Sequence, residues 1–490
     1  MKNRYRIRIC GIRKKKRAAM TAAIAAGALL VCAAALILIF RPFSASSPGA
    51  RDETPTTISN PEATPTPDAG GEEAPKMARS LYEAAVDYDA GTRTLIGGLN
   101  LTYANPSADS LYALYLRLYP NAVSEGCMSV DAVAVNGMES YYELSGGGTI
   151  LMIPFAPELD PGERTVVYIE FKITVPELND RFGAGTSGAV ALGNFLPIAA
   201  IYEDSGWRLD PYVSFGDPFY SEIADYEVAL TVDSGYTVAC TGTQASKSEE
   251  NGRIKYLFHA PEARDFAAVL IKGAHVATAL SGGVAVEAYS CTGAENAQYA
   301  ADTAASAVEY YAEAFGQYPY PRLCVAECGV SGGMEYPGLI MISEDMFKAA
   351  GGIGSGLIIA HEAAHQWWYA AVGSDQYGEP WVDEALTQFS SYLWYKNEYG
   401  RPAMEEAYNA GIVPYLDGSE PAMSPLSAFE EGNSYFSAVY ARGADMFYSA
   451  YKALGEETFL EILRGYYSAF YMKTASGNDL LSAFGGALGE

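Results

Sequence analysis

Val167, Ile169, Phe171, Ile173 and Val175 alternate with Tyr168, Glu170, Lys172 and Thr174. A period of two predicts a strand with one buried face. Asp225–Val232 and Tyr236–Cys240 flank Asp233-Ser234-Gly235 and predict a hairpin. The pattern predicts a β-rich domain over residues 79–290. After Cys291 the period becomes helical. Ala294–Phe315, Leu357–Val372, Val382–Tyr399 and the stretches 436–454 and 456–470 read as helices, with short strands at Leu323–Ala326 and Leu339–Ile342. Gly373 and Gly400 stand where helix C-terminal stops are expected. The fold class is therefore α+β, a β-rich N-terminal domain followed by a mainly α domain over 291–490, with no internal repeat.

The N-terminal part follows different rules. Residues 1–17 hold nine basic residues and no acid, and Ala18–Phe40 carries no charge. A helix of that length spans about 34 Å, enough for a bilayer core of about 30 Å. The flanking positive charge predicts a single-pass anchor with its N-terminus in the cytoplasm and the remainder outside. A cleaved signal peptide is the competing reading, with Ser44-Ala45-Ser46 as a weak cleavage signal; its apolar region is usually shorter. Residues 41–78 are rich in Pro, Thr, Ser, Ala and acids, which predicts a disordered tether.

Composition agrees with this layout. The 490-residue chain has 32 basic and 59 acidic residues, net −27. Ten of the basic residues lie within residues 1–41, so the rest of the chain is strongly acidic, which argues against nucleic acid as a partner. Five of the seven cysteines follow the expected anchor, widely spread, and read as buried thiols rather than a disulfide framework. The pattern specifies no oligomeric state.

The chemistry concentrates in His361-Glu362-Ala363-Ala364-His365, followed after eighteen residues by Glu384 within Trp381-Val382-Asp383-Glu384. Positions i and i+4 share a helix face, so His361 and His365 can address one metal ion and Glu362 a water on it. Glu384 as a third ligand leaves one position open, the pattern of a catalytic site with one Zn²⁺ per chain. Half of the chain's four histidines sit in this pentapeptide. Upstream, Gly332-Gly333-Met334-Glu335-Tyr336-Pro337-Gly338 combines two glycines, suited to close backbone approach to a ligand, with a carboxylate able to bind a cationic group. Asp383 either supports the ligands from behind or caps its helix. Trp367, Trp368 and Tyr369 read as core packing.

With Gly333-Met334-Glu335, the histidine pair, Trp381-x-Asp383-Glu384 and Tyr440-Ala441-Arg442-Gly443-Ala444 in this order, residues 80–490 resemble the gluzincin zinc aminopeptidases of the aminopeptidase N and leukotriene hydrolase type, in a short, membrane-anchored bacterial form. The resemblance implies a thermolysin-like catalytic domain and a peptide substrate with a free N-terminus. It implies Glu362 as general base, Glu335 on the substrate's ammonium, Tyr440 as donor to the developing oxyanion, and Tyr435 as a second site tyrosine. Gly332, Gly333 and Met334 would line the substrate strand. Two departures accompany it. Tyr336 replaces the family's asparagine, and a helical C-terminal domain carried by large members is not expected here, which implies a more open cleft or one closed by a partner. An endopeptidase and a non-catalytic surface peptide-binding protein are the alternatives.

Overall fold

The computed structural model describes residues 79–489. The expected anchor at 18–40, its basic flank and the tether to residue 78 lie outside them. Among the described residues no helix is long and apolar enough to cross a membrane.

The first half is built from strands. An eight-stranded sheet runs in the order Thr243–Glu250, Arg253–Ala263, Ala224–Asp233, Leu81–Asp89, Thr94–Ala104, Arg164–Thr174, Met128–Val135, Met138–Glu139. Its alternation is the one read from the sequence: Val167, Ile169, Phe171 and Ile173 are fully buried in one core, and the residues between them face outward. Two four-stranded sheets contribute to the same core.

The expected hairpin at Asp233-Ser234-Gly235 is not formed. Ala224–Asp233 has both edges occupied, by Leu81–Asp89 in parallel and Arg253–Ala263 in antiparallel. The following strand, Tyr236–Cys240, therefore crosses to another sheet and pairs with Ala268–Lys272.

The second half is organised on a five-stranded sheet ordered His275–Ser281, Val284–Ser290, Arg322–Cys328, Leu339–Ser343, Gly333–Tyr336. Its strands Arg322–Cys328, Leu339–Ser343 and Gly333–Tyr336 are buried on both faces. Cys324, Ala326, Met334, Tyr336 and Met341 pack into the β-rich core, while Val286, Leu323, Val325, Ile340 and Ile342 meet the helices. Buried on both faces, these strands are continuous apolar runs rather than alternating ones. Helix Ala294–Ala314 lies against the sheet through an alanine stripe. Cys324 and Cys328 are buried free thiols on one face.

Two helices carry the chemistry. The first, Ile353–Ala364, ends at His365 rather than running to Val372. Beyond it Ala370 N–H donates to His365 O and Val372 N–H to Trp367 O, each five residues back. The wider turn sends two consecutive indoles to different partners: Trp367 Nε1 donates to Gly316 O at 2.8 Å and Trp368 Nε1 to Ser390 Oγ at 3.1 Å. The second helix, Trp381–Tyr399, stops at Gly400, whose φ is 84°, as its sequence predicts.

Gly373 has a different function from the helix stop expected of it. A Cβ there would lie 2.1 Å from Arg264 Cζ. The bare glycine admits this buried guanidinium, which reaches across from the β-rich half to donate to Tyr369 O at 2.8 Å and Lys473 O at 2.7 Å, and bonds Ser221 O of its own half at 3.2 Å. Replacing Arg264 with Met leaves these carbonyls buried without their donor. We expect Arg264→Met to lower stability by about 2–4 kcal/mol, read as a shifted urea midpoint at unchanged slope; a midpoint equal to that of the parent would refute the bridge.

Candidate functional site

The first site helix is apolar on nearly every side, with Ile359, Ala360, Ala363 and Ala364 buried. His361, Glu362 and His365 are therefore carried into the interior by their neighbours. The second site helix lies beside it and delivers Glu384 from its first turn.

His361 Nε2 and His365 Nε2 are 3.2 Å apart, and Glu384 Oε2 is 3.3 Å from the first and 3.4 Å from the second. Three ligand atoms of a tetrahedral ion bound at about 2.0–2.1 Å are separated by roughly 3.3–3.4 Å. The triangle therefore fits one ion. Glu384 Oε2 is buried and makes no hydrogen bond, as expected of an oxygen kept for a cation. His365 Nδ1 donates to Trp368 O at 3.1 Å, which leaves its Nε2 lone pair facing the triangle. Two imidazoles and a carboxylate suit zinc.

Glu362, 4% exposed, adjoins this triangle; its Oε2 is buried without a partner. Together with Glu335 and His365 it forms a second group of facing ligand atoms. Burial pushes the Glu362 carboxyl up to about 8; a divalent ion beside it acts in the opposite direction. Burial also opposes ionised Glu384, but His365 and His361 hold its carboxyl well below the usual range.

Of the two glycines of the upstream motif, Gly333 serves Glu362. A Cβ on Gly333 would meet Glu362 Oε1 at 2.2 Å. Gly333 thus makes room for Glu362 to lie across the strand, and the approach predicted for a ligand is made by this side chain. Gly332 turns the chain into the strand with φ 79° and accepts from Ser343 N at 2.9 Å. Strand Gly333–Tyr336 is the end strand of its sheet, bonded on one side to Leu339–Ser343. Alternation along it places Glu335 on the site side and Met334 and Tyr336 on the other.

Two expectations are corrected by this alternation. The Met334 side chain belongs to the β-rich core and does not line the site. Tyr336 likewise points away, fully buried, and donates from its hydroxyl to Asn194 Oδ1 at 2.7 Å. Gly193 admits the ring, since a Cβ there would lie 2.0 Å from the Tyr336 hydroxyl. The departure from asparagine is therefore accommodated outside the reaction centre.

Glu335 Oε1 accepts from Gln376 Nε2 at 3.1 Å, and the same nitrogen donates to Asp383 Oδ2 at 2.8 Å. Asp383 does not cap its helix, whose N-cap position is Pro380; through Gln376 it helps to position Glu335 instead. Tyr440 stacks on His361, ring centroids 5.9 Å apart, and donates to Glu384 Oε1 at 2.5 Å. It lies in a π-helical segment, Phe436–Arg442. Tyr435 lies edge-on to it at 5.6 Å.

Three contributors escaped the sequence reading. Gln376 had no motif. Gln366 pins the Tyr336-Pro337-Gly338 turn to the first site helix, donating to Tyr336 O at 3.0 Å and accepting from Gly338 N at 2.8 Å. Asp217 enters from the β-rich half, its carboxylate facing those of Glu335 and Glu384 within 4.8 Å.

Residues 299–490 match the Peptidase family M1 domain. The chain is 27% identical over 364 residues to Aminopeptidase M1-A of Oryza sativa subsp. japonica, covering 70% of this chain and 40% of that one. It is 27% identical over 223 residues to Aminopeptidase N of Lactococcus lactis subsp. lactis, covering 40% of this chain and 25% of that one. The chain thus spans less than half the length of these curated relatives. Among solved structures, a substituted form of the M1 zinc metallopeptidase from Deinococcus radiodurans has a TM-score of 0.64 at 19% identity, over 84% of this chain and 90% of that one. Another form of it, bound to a Tyr-Ser-Ala substrate, has a TM-score of 0.60 at 18% identity, over 84% and 91%. These likenesses show the fold, a β-rich domain followed by a helical one.

The ligand triangle predicts its own loss. Glu384→Ala removes one corner and leaves two imidazoles, and we expect stoichiometric zinc to fall from one equivalent to near zero after dialysis, measured by elemental mass spectrometry. Retention of a full equivalent would place the ion elsewhere.

Proposed function

We propose that this chain, whose residues 299–490 belong to the gluzincin peptidases of family M1, is a zinc aminopeptidase that removes residues from the free N-termini of peptides. The observation that carries the reading is a convergence on one buried point. His361, His365 and Glu384 face one another at ligand spacing, with Glu362 on one side and Glu335 on another. The relatives' names point the same way.

His361, His365 and Glu384 would hold the ion, which when bound lowers the pKa of a water and polarises the scissile carbonyl. Glu362 takes the proton of the attacking water and returns it to the leaving amine. The free edge of Gly333–Tyr336 receives the substrate backbone as an added strand. Glu335, held by Gln376, binds the ammonium. The Tyr440 hydroxyl turns from Glu384 toward the carbonyl oxygen as negative charge develops there. Residues 18–40 anchor the chain with its catalytic part outside the cytoplasm.

The endopeptidase alternative drew on Tyr336 and on the open cleft expected from the sequence. The first ground falls away, because the Tyr336 side chain is directed into the β-rich core. A non-catalytic role leaves the orphaned Glu362 Oε2 without a purpose.

One peptide offered free and N-acetylated tests the reading, with products followed by mass spectrometry. The zinc-loaded chain is expected to shorten only the free form, stepwise. Glu362→Gln is expected to lose about 10²–10⁴-fold in kcat with zinc retained. Internal cuts in both forms would replace the reading with an endopeptidase. Gly333→Ala gives an independent check, since its Cβ displaces Glu362 without touching the ligands. We expect a loss of about 10²-fold in kcat at unchanged zinc content; full activity would show that Glu362 tolerates another position.

A further inference from the structure

An open sheet edge presents unpaired backbone N–H and C=O groups, and proteins guard such edges with charge, proline, bulges or short length. The eight-stranded sheet follows this rule at both ends. Thr243–Glu250 carries Lys247, Glu249 and Glu250 and is bulged between Gln244 and Ser246, while Met138–Glu139 is only two residues long. One end of the five-stranded sheet, Gly333–Tyr336, borders Glu362. The other end, His275–Ser281, has none of these guards. It is seven residues long, without proline, acid, lysine or arginine, and pairs on one side with Val284–Ser290 in unbroken register. Ala277 and Ala279 meet the helical core. Val276, 51% exposed, Thr278, and Leu280, 76% exposed, stand on the opposite face, open to solvent.

This strand is complementary to itself. Antiparallel pairing centred on Thr278 sets Val276 against Leu280 of a second copy, Thr278 against its own counterpart and Leu280 against Val276. Each exposed apolar side chain then gains an apolar neighbour about 4.5–5.5 Å away, and the open backbone groups find partners. Charge selects the same occupant. The chain is net −27, so two copies repel over most of their surfaces. The strand is a window free of that charge. The one acid of the neighbouring strand, Glu287, is bonded to Arg322 Nη1 at 3.1 Å.

We propose that His275–Ser281 is a homodimer interface, through which two copies join their five-stranded sheets into one continuous sheet about a two-fold axis at Thr278. The proposal does not depend on the aminopeptidase reading. The strand order places Gly333–Tyr336 at the far end of each sheet. Across the joined sheet, strand spacings of about 4.8 Å put the two Gly333–Tyr336 strands about 43 Å apart. Both sites therefore stay open in the dimer.

The test uses the full chain in detergent micelles, followed by sedimentation over a range of concentrations. A single strand pair is a small interface, and we expect the parent to dimerise with a dissociation constant of about 1–100 µM. Thr278→Lys sets two ammonium groups against each other on the axis and is expected to weaken the dimer at least about 10-fold, with zinc content unchanged. A parent that stays monomeric throughout would overturn the proposal. So would an equally strong dimer of Thr278→Lys, which would assign association to another surface, residues 18–40 included. Single cysteines read the register. With glutathione disulfide, Thr278→Cys is expected to cross-link into a dimer on a non-reducing gel, above the background of the parent. Val276→Cys stands about 13 Å from its own counterpart, too far for a disulfide. It is expected to stay monomeric alone and to cross-link when mixed with Leu280→Cys. Equal cross-linking of Val276→Cys alone and Thr278→Cys, or none by Thr278→Cys, would refute this pairing.

Discussion

Five carboxylates, Asp217, Glu335, Glu362, Asp383 and Glu384, are buried together around two imidazoles. That concentration of like charge is the constraint on which the rest depends. Burial raises the Asp217, Glu335, Glu362 and Asp383 carboxyls, so without compensation the cluster would protonate and lose its ability to hold a cation. The compensation is spatially specific. Arg181 serves Asp217, Gln376 bridges Glu335 and Asp383, and the imidazoles serve Glu384. A divalent ion in the triangle supplies further charge.

This explains why the two halves are fused rather than merely adjacent. The five-stranded sheet gives one face to each core, so the strand bearing Glu335 has its alternate residues embedded in the β-rich half. Tyr336 bonds to Asn194 there, and Arg264 reaches the Tyr369 and Lys473 carbonyls of the other half. Movement of one half relative to the other would shift Glu335 against Glu384 and separate Asp217 from both. The β-rich half is thus part of the electrostatic design of the site.

Much of this was legible in the chain. Strong periodicity located the strand at Arg164–Thr174 and the helices at Ala294–Ala314, Trp381–Tyr399 and Glu456–Phe470. Spacing alone put His361 and His365 together, because an i, i+4 pair on a helix has one geometry; Glu384, expected beside them from its motif, is brought there by the second helix. What the sequence hid was set by long-range partners. The hairpin at Asp233-Ser234-Gly235 fails because distant strands already occupy both edges. The first site helix ends early where the backbone widens to five-back bonds and Trp367 and Trp368 reach Gly316 and Ser390, both distant in sequence. Gln366, Gln376 and Asp217 belong to no periodic pattern; their positions follow from which distant strand or helix each one meets.

Tyr336 shows how a departure in a motif has to be read. As a string, replacing asparagine by tyrosine beside Glu335 changes the substrate-binding segment. On a strand, adjacent residues face opposite ways, so the change falls on the far side of the sheet from Glu335. Its cost is met there by Gly193, which leaves room for the ring, and by Asn194, which accepts the hydroxyl proton. A substitution at Glu335 or Gly333 has no such outlet, because both face Glu362. The two faces of one short strand therefore tolerate change very differently, and the face that meets Glu362 sets the chemistry.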